Sequence, residues 1–208
     1  MDTIRAFIAI PLPQTLLERL AILQQRLEKH IPHRGVRWMR SESIHLTLKF
    51  LGDTSTGKLP DIKQALSVVA RHAPAFIFTA GGLGCFPNPR RPRVIWVGIQ
   101  EPTGTLVALR DAIEEVVAPL GYPPEGRKFT PHLTLGRIRR RTSRGDAARI
   151  GEVATNWVGR MDNTSVETLA EVSVEHFALI RSVLKPTGAE YTTLESFPLR
   201  QHRDDCHS

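Results

Sequence analysis

Cysteine is scarce in this sequence: two among 208 residues, Cys85 and Cys206. Neither belongs to a Cys-x-x-Cys pair, so neither a zinc ribbon nor a disulfide framework is indicated, and free thiols in a reducing compartment are expected. Long hydrophobic runs are missing too; none approaches the roughly 20 residues that span a bilayer. The opening Met-Asp-Thr-Ile-Arg-Ala-Phe-Ile-Ala-Ile-Pro lacks the basic start and extended apolar core of a secretory signal. A cytoplasmic protein without membrane attachment is the expectation. Aromatic residues make up only 6%, and the 21 acidic residues are outnumbered by 28 basic ones, for a net charge of +7. That imbalance points to an anionic partner, a nucleic acid or a nucleotide. With 41% apolar residues the composition is that of a globular chain, not a disordered one, and the length suffices for a core without staples. No short period of the solenoid kind is present.

Hydrophobic spacing predicts mixed elements. Residues 4–10 read as a strand closed by Pro11 and Pro13. Residues 14–30 place Leu16, Leu17, Leu20, Leu23 and Leu27 at helical spacing. Strands follow at 36–40 and 44–51, a helix at 57–72 and a strand at 75–80. Gly81, Gly82 and Gly84 read as a turn rather than a phosphate-cradling loop. A strand at 93–99, a helix at 103–118 and a Pro- and Gly-rich loop at 119–126 come next. A strand at 132–138, a weaker helix at 143–156 and two long strands near 171–182 and 189–199 complete the order. Several strands follow one another without a helix between them. This argues for an α+β fold with antiparallel sheets, each covered by helices on one side. The polar tail from Gln201 to Ser208 is expected to fray.

One tetrapeptide occurs twice. His-Leu-Thr-Leu stands at residues 45–48 and again at 132–135, one copy in each half. Each copy sits in a predicted strand after a polar or turn-like residue (Ser43, Pro131). Each carries a cation shortly afterwards (Lys49, Arg137). Alternation puts His45 and Thr47 on one face, with Lys49 beside them and Leu46, Leu48 and Phe50 toward a core. In the second copy His132 and Thr134 share a face. Strict alternation would send Arg137 inward, which a guanidinium resists. Gly136 is placed to supply a bulge that returns Arg137 to the polar side.

Side by side, the two strands would line a groove with two imidazoles, two hydroxyls and two cations. One imidazole can accept a proton while the other donates. Hydroxyls and cations can hold the oxygens of a phosphorus centre as it becomes five-coordinate. The set suits in-line displacement at a phosphodiester without a metal. Zinc is the competing use of two histidines, but it needs a third protein ligand, and nothing in the spacing of His176 recommends it.

These residues resemble the RNA 2′,3′-cyclic phosphodiesterases, formerly called 2′-5′ RNA ligases, of the two-histidine (2H) phosphoesterase superfamily. The resemblance covers nearly the whole chain: IRAFIAIPLP at the start, IHLTLKFLG (44–52), RPRVIWVGI (91–99), FTPHLTLGR (129–137) and LIRSVLKPTGAEYTTLESFPL (179–199). It implies one bilobal domain over residues 1–200, with two antiparallel sheets related by a pseudo-twofold facing a central cleft and helices outside. It implies hydrolysis of a terminal 2′,3′-cyclic phosphate of RNA to a 2′-phosphate, with reversible 2′-5′ joining in some members, and no metal or cofactor. His45 and His132 are then the catalytic pair, with His132 as base and His45 as acid. Thr47 and Thr134 hold phosphate oxygens, and Arg137 matches a family position after the second motif. Lys49 is added as a phosphate contact from strand alternation alone. RNA ends and cyclic nucleotides are the expected partners, and a monomer the expected state. The alternative function is a non-catalytic RNA- or nucleotide-binding module using the same groove.

Further candidates are weaker. Phe7, Trp38 and Phe129 flank the motif strands and would serve either for base stacking or for core packing. The runs Arg90, Arg91, Arg93 and Arg139, Arg140, Arg141, Arg144 would serve either as backbone contacts or as solvated faces. Ser182, Tyr191 and Pro131 are assigned to structure.

Overall fold

Strand β1 (Thr3–Ile10) carries five successive buried residues, Ala6 to Ile10. Such a run fits a strand covered on both faces, and β1 lies inside its sheet, between β3 (Leu46–Ser55) and β8 (His176–Lys185). With β9 (Gly188–Pro198) these form a four-stranded sheet in the order β3-β1-β8-β9. A second, five-stranded sheet has the order β2-β6-β5-β4-β7. Its members are β2 (Val36–Trp38), β4 (Phe76–Phe86), β5 (Val94–Gln100), β6 (His132–Ile138) and β7 (Ala170–Val174). Every pairing within both sheets is antiparallel. The computed structural model describes residues 2–31, 35–159, 168–185 and 188–201. The tail expected at 201–208 therefore lies, apart from Gln201, outside the described residues.

The helices are α1 (Gln14–Glu28), α2 (Leu59–His72), α3 (Thr105–Val117) and α4 (Arg144–Thr155). α1 buries Leu16, Leu20, Leu23 and Leu27 of the predicted stripe, with Leu17 only partly buried at its edge. α4 is capped by Ser143, whose hydroxyl accepts from the Asp146 amide at 3.1 Å. The helices cross between halves. β1 belongs to the first sheet, yet α1 is tied to the second, where Gln24 Nε2 donates to Leu135 O of β6 at 2.8 Å. β5 belongs to the second sheet, yet α3 packs on β3 of the first. The α+β, two-sheet reading of the sequence is the fold observed.

Two expectations need correction. The glycines 81, 82 and 84 do not end a strand: β4 runs through them to Phe86. Gly82, at φ +65°, forms a bulge against β5. At Gly84 a Cβ would lie 2.2 Å from Cζ2 of Trp96, so glycine makes room for that ring. The long strand near 171–182 is two strands, β7 and β8, broken at Glu175. They pair in different sheets, so the chain passes there from one lobe to the other.

Candidate active site

His45 stands just before β3 and His132 opens β6. The two rings are held alike. His45 Nδ1 lies 2.9 Å from Ser43 O, and His132 Nδ1 lies 2.7 Å from Thr130 O. A carbonyl can only accept, so in each ring Nδ1 carries the proton and Nε2 keeps the lone pair of the neutral form. Each ring also rests on aromatic neighbours. His45 stacks on Phe7 at 4.6 Å between centroids and meets Tyr191 edge-on at 5.2 Å. His132 meets Phe86 edge-on at 4.9 Å, with Trp96 beyond it at 6.3 Å. Phe7 is thus part of the site's wall as well as buried.

Burial sets the charge state of both rings. It pushes the His45 pKa down to about 4, against a smaller opposing effect of the Ser43 carbonyl. His132 is also lowered, first by burial and further by the Arg137 guanidinium, with the Thr130 carbonyl opposing. Both rings are therefore neutral at pH 7 in the free protein.

The second Leu of each motif is an extra residue in its strand. In β3, Ala9 faces Thr47 while Ile8 faces Lys49, which leaves Leu48 unpaired against β1. In β6, Trp96 faces Thr134 while Ile95 faces Gly136, which leaves Leu135 unpaired against β5. A bulge of this kind reverses the facing of the residues beyond it. Arg137 accordingly reaches the polar face, as expected. Gly136 is required there: a Cβ would lie 2.6 Å from Val36 Cγ1 and 3.0 Å from Trp38 Cε3.

The same bulge in β3 overturns two expectations. Lys49 is not in the groove. It is 2% exposed, and its Nζ donates at 2.6 Å to both Glu114 Oε2 of α3 and Pro123 O. Phe50, expected in the core, is 58% exposed and lines the groove instead. The second motif held the missing signal, because the bulge that Arg137 demands, repeated after Thr47, would have turned Lys49 in and Phe50 out.

Two cavities meet along this groove. The larger, about 970 Å³, is lined by Thr47, His132, Phe86 and Phe129 and by several cations, among them Arg91, Arg93 and Arg127. The smaller, about 350 Å³, is lined by His45, Tyr191, Trp38 and a set of arginines. Phe50 and Arg137 line both. Thr134, half-buried opposite Trp96, lines neither. Arg90, Arg139, Arg140, Arg141 and Arg144 also lie outside both walls. Cys85 is buried and its thiol is pushed up to about 11 by that burial, so it is not a nucleophile. His176 is exposed at the start of β8, away from both cavities. Among the described residues no group of three or more His, Cys, Asp or Glu side chains is placed to hold a metal ion.

Comparison with known proteins supplies a family. The model of the family described as LigT like Phosphoesterase matches the chain twice, over residues 10–96 and 97–191. Each matched segment contains one of the two His-x-Thr strands. An RNA 2′,3′-cyclic phosphodiesterase of Methanothermobacter thermautotrophicus is 33% identical over 196 residues, covering 94% of this chain and 99% of the relative. One from Thermus thermophilus is 34% identical over 201 residues, covering 94% and 90%. Among solved structures, TT0787 of Thermus thermophilus superposes with a TM-score of 0.76 at 30% identity, covering 96% of this chain and 100% of that one. E. coli LigT complexed with 3′-AMP superposes with a TM-score of 0.69 at 26% identity, covering 96% and 100%.

Proposed function

The chain is an enzyme of the LigT-like phosphoesterase family, akin to its RNA 2′,3′-cyclic phosphodiesterases, and from that premise we propose that it opens a terminal 2′,3′-cyclic phosphate of RNA to a 2′-phosphate, using two histidines and no metal. The observation that carries this reading is the pair of equivalently pinned imidazoles on two cavities that meet at Arg137 and Phe50.

The terminal ribose and its base belong in the larger cavity. It has the room and the aromatic walls, and stacking on a ring such as Phe50 contributes about 1–3 kcal/mol per base. The phosphorus then sits at the junction beside Arg137. Thr47, which lines the larger cavity, holds one of the non-bridging oxygens, whereas Thr134, expected to share that role, shares the histidine face of β6 but lies outside both walls. Arg137 offsets the negative charge that grows on the non-bridging oxygens.

His132 lies on the ribose side and His45 on the far side. An in-line attack needs the nucleophile opposite the leaving O3′, so water stands beside His45. The anionic phosphate beside His132 favours the charged ring, so His132 enters the reaction with a solvent proton on Nε2. His45 Nε2 then takes the water proton, the water oxygen bonds to phosphorus, the P–O3′ bond breaks, and His132 Nε2 delivers its proton to O3′. This allocation reverses the one expected from sequence. Burial favours it as well, since His45 is the ring held more firmly neutral. An RNA 5′-hydroxyl in the water's place gives the same bond changes and a 2′–5′ linkage. One chain supplies both halves of the site, so we read it as a monomeric, bilobal domain over residues 1–200, acting in the cytoplasm.

The test is a pair of single substitutions. His45→Ala and His132→Ala should each lower kcat/KM on a 2′,3′-cyclic nucleotide by about 10²–10⁴-fold with the fold intact, and activity should survive EDTA. A 4-nitrophenyl nucleoside phosphodiester, whose leaving group needs no acid, should restore turnover to His132→Ala and not to His45→Ala. Full activity of either variant on the cyclic nucleotide would end the proposal.

A further inference from the structure

Behind β3 runs a chain of buried charge that the proposed chemistry does not use. Lys49 Nζ donates at 2.6 Å to Glu114 Oε2, and Glu114 Oε1 lies 3.0 Å from Arg110 Nη2, one turn back on α3. The side chains of Lys49, Glu114 and Arg110 are 2%, 5% and 13% exposed. Ion pairs enclosed in this way seldom stabilise a fold more than well-packed apolar residues would, because each charge loses its water. Their contribution is then to be found at the two ends of the chain, and both ends meet the same loop.

That loop, residues 121–131, leads into β6 without a regular element of its own, and residues 123–128 are exposed. It still gives the larger cavity five wall residues, Glu125, Arg127, Lys128, Phe129 and Thr130. At one end of the charge chain, Lys49 Nζ donates a second time, at 2.6 Å, to Pro123 O. At the other, the Arg110 guanidinium lies over the Phe129 ring, 5.5 Å from its centroid. Phe129 is half-buried and lines the cavity, so the guanidinium supports one face and leaves ring surface open to a ligand. The end of the loop has separate support. Pro131 O accepts from Ile99 N at 3.3 Å, beside the Thr130 carbonyl that pins His132.

We infer that the Lys49–Glu114–Arg110 chain is a positioning device for nucleoside recognition, which holds Phe129 in the cavity wall as a surface on which the terminal base stacks. The inference rests on the reading of the larger cavity as the ribose side. Lys49 and Glu114 line neither cavity, so their effect on a substrate passes through the loop and the ring it carries.

The experiment uses Lys49→Met/Glu114→Gln, which removes both buried charges together. On 2′,3′-cyclic AMP this variant should raise KM at least about fivefold and keep kcat within about threefold, the pattern of binding lost equally from ground and transition states. On a methyl riboside 2′,3′-cyclic phosphate, which has no base, KM should stay within about twofold. Arg110→Met, which cuts the last link, should give the same pattern. In a Phe129→Leu background neither change should add more than about twofold, since the platform is already gone. An unchanged KM for cyclic AMP, an equal rise on the baseless substrate, or an effect that adds to that of Phe129→Leu would overturn the inference. If the unaltered protein turned over neither substrate, the proposed activity would fall. Calorimetric affinities for adenosine 2′-phosphate and ribose 2′-phosphate, compared across the same variants, would still judge the chain.

Discussion

The two motif strands are built to one plan and braced by different chemistry. In both, a histidine is pinned through Nδ1 to a carbonyl two residues back, and the second Leu is the bulged residue. The residue after the bulge turns inward and the next turns to the groove. In β6 those residues are Gly136 and Arg137; in β3 they are Lys49 and Phe50. Behind β6 the brace is neutral: Gln24 donates to Leu135 O at 2.8 Å and Met39 O at 2.9 Å. Behind β3 it is ionic: Lys49 meets Glu114, and Glu114 meets Arg110 at 3.0 Å. Arg110 in turn lies over the Phe129 ring at 5.5 Å, in the wall of the larger cavity. A repeated backbone device thus presents an aromatic surface from one lobe and a cation from the other. A nucleotide needs both.

The largest effect that would break this parallel lies in the ionic brace. Glu114→Ala leaves Lys49 buried without its carboxylate and should cost about 3–5 kcal/mol in chemical denaturation. Replacing both partners, as Lys49→Met with Glu114→Gln, should recover most of that loss. If the single and double variants were equally unstable, the brace would not be the ion pair.

Next in size is the pH response of the His45 lobe. Unfolded, this ring binds a proton below its ordinary value of about 6.5; folded, it stays neutral down to about 4. Protons therefore favour the unfolded chain in that window, and stability falls as pH drops from 6.5 to 4. The linked loss is up to about 3 kcal/mol. His45→Asn should flatten this part of the stability profile, measured by urea titration at each pH; an unchanged slope would assign the effect to other groups.

The neutral brace should matter less. Gln24→Met removes two donors from carbonyls behind β6 and should cost about 1–3 kcal/mol. A larger penalty than that of Glu114→Ala would invert the comparison.

The smallest effect is electrostatic. Arg137 helps to lower His132, so Arg137→Gln should move the alkaline limb of the kcat/KM profile upward in pH, apart from its effect on rate. A limb that stayed in place would separate Arg137 from His132.

Much of the fold was legible in advance, because amphipathic spacing is local. The α1 stripe, the strand around Ile95 and Val97, and both motif strands follow from side-chain periodicity alone. What was misread depends on partners remote in sequence. Gly84 looks like a strand breaker until Trp96 is placed across from it. The break at Glu175 is a change of sheet, which no single strand pattern encodes. Lys49 and Phe50 exchanged faces because the bulge is a property of the β1–β3 pairing, not of β3 by itself. Arg37 drew no notice, since only its pairing with β6 sets it opposite Arg137.

The order of residues alone supplied the candidates: a repeated His-Leu-Thr-Leu strand in each half of a chain with net charge +7. Tertiary structure decided which side chains accompany the rings into the groove and how each ring is charged. Facing depends on strand register and pKa on burial, and both are settled when distant segments pack together.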